Sequence, residues 1–138
     1  MELRQRGSRR TTYVAFTVLV ICCGLALRKF GYDLHLPFVV VKFGGSGLWG
    51  AMVYLLLASM TGKSEPGKTA VSAFLIAITV ELFRLYHTQW LDAFRLTTAG
   101  ALLLGRVFSP WNILAYGIGI VAALLLDCLW LSKARKSP

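Results

Sequence analysis

The residues best suited to chemistry lie together between positions 81 and 95, where the chain reads ELFRLYHTQWLDAFR. Two carboxylates, two guanidinium groups and one imidazole occupy this stretch, beside runs apolar enough to lie in a bilayer. Ionisable groups at membrane depth are costly, and they commonly line paths for ions, protons or ligands. The stretch is therefore the first candidate for a functional site.

The spacing of these residues predicts two ion pairs. Glu81 and Arg84 are three positions apart, as are Asp92 and Arg95, and this is the reach of an ion pair on a helix. If one helix continued through both pairs, they would share an arc of about 80°, with the histidine pointing elsewhere. If Thr88 instead capped a new helix, the charged stripe would break into two pairs facing one another.

This pattern fits either an anion pocket or a set of ion pairs that satisfy each other. Three arginines, Arg84, Arg95 and Arg106, outnumber the two carboxylates, which favours an anionic head group such as a phosphate. Acid–base catalysis is less favoured, because Glu81 and His87 would lie about 240° apart on a continuous helix.

Motifs for known chemistries do not occur in the chain. It has no serine elbow, P-loop or HExxH zinc motif, and its candidate metal ligands lack the usual i,i+4 spacing. We therefore expect no catalytic residues, no metal site and no cofactor. A binding protein is favoured over an enzyme.

Apolar composition predicts that the chain lies in a membrane. Of 138 residues, 57% are hydrophobic and 15% are charged, and the mean hydropathy is +0.64, against about 45–50% apolar and about 25% charged residues in soluble proteins. The net charge of +9 comes mostly from Lys and Arg between or beyond apolar runs, so we expect lipid contacts and no nucleic-acid partner. Cys22, Cys23 and Cys128 lie in apolar runs without disulfide or metal spacing.

Four apolar runs are long enough to cross a hydrocarbon core of about 30 Å. They predict an all-α, polytopic membrane helix bundle that forms a single domain. The predicted spans are 11–27, 43–60, 69–86 and 111–131. Residues 91–108 are too short for a comfortable span and too apolar for an exposed loop, which predicts a re-entrant or interfacial helix. A fifth transmembrane helix over this segment, with snorkelling charges at its ends, is the alternative.

The second run opens on a glycine-rich segment, GGSGLW, at positions 44–49. Glycines here permit close approach of a neighbouring backbone or a ligand, and a tryptophan suits a membrane interface. Gly45, Ser46 and Trp49 are therefore candidate binding residues, with tight packing of a helix start as the alternative.

Small residues recur every four positions in two places, a pattern typical of close helix packing. They are Ala115, Gly119 and Ala123 in the last run, and Thr97, Ala101 and Gly105 in the segment before it. We expect these two faces to join within one chain, with a homo-oligomer contact as the alternative.

Lys and Arg positions predict that both termini face the cytoplasm. With four spans, nine of the 15 basic residues fall at the termini and in the second connection, which leaves six in the first and third connections. The region from Glu81 to Arg106 would then open toward the outside.

The two segments singled out above also carry a family resemblance. Together, GGSGLWGAMVYLLL at 44–57 and ELFRLYHTQWLDAFRLTTAGALLLG at 81–105 resemble a bacterial family of small inner-membrane proteins, a domain of unknown function. That family has Leu-Trp at the head of its second helix and an E-x-x-[QR]…D-x-x-R-x-[ST]-x-x-G pattern after its third. The positions that match the second pattern are Glu81, Arg84, Trp90, Asp92, Arg95, Thr97 and Gly100.

One position departs from the pattern, because many family members carry an aspartate where this chain has Ser46. The second segment is similar, more loosely, to VanZ-like proteins. That likeness implies a cell-envelope role in the bacterial inner (plasma) membrane without supplying a substrate.

Two functions follow from these observations. In the first, an outward-facing charged pocket binds the head group of an anionic lipid or envelope precursor. In the second, the protein is a non-catalytic structural or accessory subunit that contacts another membrane protein. The candidate ligand-binding residues are Gly45, Ser46, Trp49, Glu81, Arg84, His87, Trp90, Asp92, Arg95, Thr97, Gly100 and Arg106.

Overall fold

The structure is a computed structural model that describes residues 2–61, 65–105 and 107–136. Within these ranges the chain forms six α-helices, which are α1 (Glu2–Phe30), α2 (Phe38–Thr61), α3 (Pro66–Phe83), α4 (Gln89–Leu96), α5 (Thr98–Leu103) and α6 (Pro110–Lys136). Stretches of the four long helices are long and apolar enough to cross a membrane, at Arg9–Phe30, Phe38–Thr61, Pro66–Phe83 and Pro110–Trp130. The predicted all-α helix bundle is confirmed.

Helices α2 and α6 form the centre of the bundle, with α1 packed on α2 and α3 packed on both central helices. Glycine lets the central backbones meet. A Cβ atom on Gly119 would overlap the carbonyl oxygen of Gly47, and one on Gly50 would lie 2.6 Å from the carbonyl oxygen of Tyr116. Backbone cannot yield as a flexible side chain does, so this contact requires glycine.

The small-residue face of α6 is used inside the chain, as expected, but against a different partner. Ala115, Gly119 and Ala123 are buried, and Gly119 meets α2 rather than the segment 97–105. The prediction that the two small-residue faces join each other is therefore wrong. Gly47 and Gly50 on α2 let the two backbones come into direct contact.

The stretch between α3 and α6 forms a turn and two short helices. Helix α3 ends at Phe83, and the extended Thr88 is the N-cap residue of α4. The continuous helix through both charge pairs is therefore wrong, and the alternative of a new helix begun by Thr88 is correct. With eight and six residues, α4 and α5 extend about 12 Å and about 9 Å, too little for a fifth span.

Large apolar side chains cover the outside of all four long helices. Val18, Leu56, Leu75 and Leu126 are exposed examples, one from each helix. Such continuous apolar surface would promote aggregation in water, whereas it suits contact with lipid acyl chains. The bundle therefore places its polar contacts inside and at its two ends.

We name the ends by their buried carboxylates. The Glu81 end contains residues 31–37, 84–105 and 107–109, and the Asp127 end contains the start of α1, the end of α2 and the start of α3.

Candidate functional site

Glu81 is the centre of the polar cluster at its end of the bundle, and its side chain is completely buried. One carboxylate oxygen accepts hydrogen bonds from the Ser109 backbone N–H at 2.7 Å and from Asn112 Nδ2 at 3.1 Å. The other accepts from the Tyr116 hydroxyl at 2.8 Å and pairs with Arg84 Nη1 at 2.6 Å. Helix α3 is thereby tied to the first two turns of α6.

These four donors account for the acceptor capacity of the carboxylate, which has about four lone-pair sites. The Ser109 N–H also immediately precedes α6, so the negative charge lies at the positive end of that helix dipole. Glu81 thus caps α6 from a neighbouring helix. A carboxylate with its lone pairs occupied is poorly placed to act as a general base.

Arg84 links the same carboxylate to the chain before α6. Its guanidinium donates from Nε to the carbonyl oxygen of Leu104 and contacts the Val107 carbonyl at 3.5 Å. The group lies against Gly105, whose φ of +69° suits glycine and where a Cβ would overlap the guanidinium. Arg84 therefore holds the turn after α5 in place.

The second charge pair stabilises the end of α3. Arg95 is 3% exposed, and its Nη2 and Nη1 donate to the carbonyl oxygens of Phe83 and Tyr86 at 2.8 and 2.9 Å. Cations at a helix C-terminus satisfy orphan carbonyls and favour the helix dipole. The Asp92 carboxylate accepts from Arg95 Nη1 at 3.1 Å while remaining 45% exposed. This pair is more open to solvent than the Glu81–Arg84 pair.

The structure brings part of the glycine-rich segment to the Glu81 cluster. The Ser46 hydroxyl lies 3.3 Å from Asn112 Oδ1, so Asn112 connects Ser46 with Glu81. The Trp49 ring lies 5.0 Å from the Tyr116 ring, and the Tyr116 hydroxyl donates to Glu81. The two segments singled out in the sequence are therefore joined through α6.

Other predicted site residues lie away from the buried centre. His87 and Trp90 are exposed, and His87 Nδ1 lies 3.1 Å from Asp92 rather than pointing away from the pair. Thr97 accepts a hydrogen bond from the Gly100 N–H and so caps α5. Gly100 is buried, and a Cβ there would overlap the Phe94 carbonyl, so this position requires glycine. Arg106 lies outside the described residues.

Gly45 is placed at the α1–α2 contact, against a residue that the sequence did not single out. A Cβ on Gly45 would lie 3.4 Å from Nε of Arg28. Together with Gly24, Trp49 and apolar side chains, both residues line a crevice of about 30 Å³ between α1 and α2. Trp49 Nε1 is buried and has no hydrogen-bond partner in the part of the chain that the structure describes.

A second polar cluster at the opposite end was not predicted. Asp127 is buried on α6 and accepts hydrogen bonds from the hydroxyls of Tyr13 on α1 and Tyr54 on α2, both at 2.6 Å. A single acid within an apolar run is a sequence signal that could have identified it. Asp127 joins three helices, which is a structural use of a buried carboxylate.

The carboxylates and the imidazole described above do not form a reaction centre. Among the described residues, no group of three His, Cys, Asp or Glu side chains could hold a metal ion. Both candidate acids are hydrogen-bonded, and the imidazole is on the surface. The arrangement is suited to holding helices and connections in fixed positions.

Fold and site together define a membrane-type helical bundle in which buried carboxylates connect the long helices. The chain belongs to the family described as protein of unknown function (DUF2809), whose model matches residues 35–120. That range contains α2 through the first half of α6 and therefore includes the whole Glu81 cluster. No solved structure matches the chain.

Proposed function

We propose that this protein is a non-catalytic, lipid-binding protein of the bacterial cell envelope. It binds the head group of an anionic lipid or envelope precursor at the Glu81 end of the bundle. The Glu81–Arg84 and Asp92–Arg95 pairs serve as the frame that holds this end rigid. The ligand is bound by other cations on the same end.

The distribution of accessible charge carries this proposal. Arg28 and Lys29 are exposed at the end of α1, and Lys42 lies near the start of α2. The ammonium groups of Lys29 and Lys42 lie over the rings of Phe30 and Phe38 at 5.4 and 5.5 Å. Cations held on aromatic rings where apolar helices end are placed to meet lipid phosphates.

Lipid analysis of the purified protein tests the proposal. We expect protein extracted in a mild non-ionic detergent to retain anionic lipid above its share of the source membrane. Neutralising Arg28, Lys29 and Lys42 together to Gln should abolish the enrichment. Lys68→Gln, which removes an exposed charge at the Asp127 end, should leave it unchanged. If the purified protein retains lipids in the proportions of the source membrane, or retains a stoichiometric protein partner without lipid, an accessory subunit is favoured instead.

In the same proposal the protein is a multi-pass protein of the inner membrane, with both termini in the cytoplasm and the Glu81 end outside. The excess of Lys and Arg at the termini and in the second connection supports this orientation. With Cys22, Cys23 and Cys128 replaced by serine, Asp33→Cys should react with an impermeant maleimide in intact cells. If Asp33→Cys reacts only after the cells are lysed, the protein has the opposite orientation, with both termini outside.

A further inference from the structure

The crevice between α1 and α2 combines a cation with a buried donor that has no acceptor among the described residues. Arg28 and Trp49 both line it, and Gly24 and Gly45 bring the two helices together there. Trp49 Nε1–H is buried, and none of the described residues accepts a hydrogen bond from it. An indole N–H can only donate, and leaving a buried donor unpaired is unfavourable. An acceptor oxygen from outside the protein would correct this.

From this geometry we infer that the Arg28–Trp49 crevice is the specific site for a phosphate-bearing lipid head group. The inference rests on the proposed function and names the site within it. One phosphate oxygen accepts from Trp49 Nε1–H, and the guanidinium of Arg28 pairs with the phosphate charge. Arginine is well suited to this role because its planar donors match the geometry of phosphate oxygens.

Position along the helices agrees with a head group. Arg28 lies two residues before the end of the apolar helix Arg9–Phe30, where that helix would leave the hydrocarbon core. The crevice volume of about 30 Å³ admits about one or two oxygen-sized groups rather than a whole head group. The remainder of the lipid would therefore lie outside the bundle, along the exposed surfaces of α1 and α2.

The crevice is connected to the rigid frame by Trp49. The Trp49 ring packs on Tyr116, whose hydroxyl donates to the Glu81 carboxylate. Gly45 offers the surface on which the Arg28 side chain lies. The Trp49 ring is thus held in place before the ligand arrives, which lowers the ordering cost of binding.

Native mass spectrometry with defined lipids tests the site. Wild-type protein in detergent is titrated separately with phosphatidylglycerol, with a polyprenyl monophosphate and with an uncharged glycolipid that lacks phosphate. We expect one saturable adduct with one or both phosphate lipids and none with the glycolipid. The two phosphate arms distinguish a bulk phospholipid from an envelope precursor.

Three variants provide the comparison. Trp49→Phe keeps an aromatic ring against Tyr116 while removing the N–H, and we expect about 3–10-fold weaker binding. Arg28→Gln should weaken binding about 10-fold or more, because it removes the charge-assisted pair. Lys68→Gln removes an equal charge at the Asp127 end, outside the crevice, and should change binding less than twofold.

The outcomes separate the two proposals. If wild-type protein retains no phosphate lipid, the proposed function fails. If it retains phosphate lipid but Arg28→Gln and Trp49→Phe bind as wild type does, the crevice is not the site and the proposed function stands. Equal losses in Arg28→Gln and Lys68→Gln would show attraction to overall surface charge rather than a built site. Far-UV circular dichroism of each variant verifies the fold.

Discussion

Replacing Glu81 with Gln tests whether the charged cluster is a structural frame. The substitution keeps the size and shape of the side chain but replaces one acceptor oxygen with an NH₂ group, which donates hydrogen bonds. In either amide orientation, two of the four donors around residue 81 face that group instead of an oxygen. The charge of Arg84, whose side chain is 9% exposed, also loses its buried partner.

The expected magnitude follows from these lost contacts. A hydrogen bond to a charged group contributes about 1.5–3 kcal/mol, a neutral one contributes about 0.5–1.5 kcal/mol, and breaking a buried ion pair costs about 3–5 kcal/mol. We therefore expect Glu81→Gln to lower the free energy of unfolding by about 2–4 kcal/mol. Adding Arg84→Met should restore part of this loss, since it removes the unpaired cation.

The Asp92–Arg95 pair supplies the matched control. It has the same i,i+3 spacing, but the Asp92 side chain is 45% exposed and Arg95 keeps its two carbonyl partners. Asp92→Asn should therefore cost less than about 1 kcal/mol. Unfolding by SDS in mixed micelles, followed by circular dichroism, gives both free energies. Equal costs for the two variants, or a cost below about 1 kcal/mol for Glu81→Gln, would refute the structural role of Glu81.

Two further predictions concern helix packing and the Asp127 cluster. Gly119→Ala puts a Cβ into an α2 carbonyl and should lower the free energy of unfolding by about 2 kcal/mol or more. Gly117→Ala is the control: its Cβ would lie 3.4 Å from a phenylalanine side chain, so its free energy of unfolding should stay within about 1 kcal/mol of wild type in the same assay. Similar costs for the two variants would contradict the close α2–α6 contact. Asp127→Ala leaves the hydroxyls of the half-buried Tyr13 and the buried Tyr54 without their acceptor and should cost about 2–3 kcal/mol. Asp127→Asn should cost less, because the amide oxygen still accepts. A reversed order of the two costs would contradict this role.

Much of the fold could be predicted from local sequence. Apolar run length identified the four long helices. The i,i+3 spacing identified both ion pairs, because partners three positions apart need no knowledge of tertiary structure. These features depend on short-range geometry, which a sequence displays directly.

The rest of the site depends on contacts between distant positions. Ser109, Asn112 and Tyr116 lie 28–35 residues beyond Glu81, and no periodicity reveals which polar residue of α6 will face α3. The sequence did not decide between a break before Thr88 and a continuous helix, since the segment after Phe83 is apolar enough to continue as a helix. Arg95, twelve residues later, satisfies that helix end.

The two buried carboxylates fix different helices at different depths of the bundle. Along α6, Tyr116 in the Glu81 cluster and Asp127 are eleven residues apart, which corresponds to about 16 Å. The layer between them is built from apolar side chains such as Val53, Ala77 and Ile120. Glu81 joins α3 to α6 at one level, and Asp127 joins α1 and α2 to α6 at the other. Because hydrogen bonds are directional and apolar contacts are not, these two levels oppose sliding of the long helices along one another.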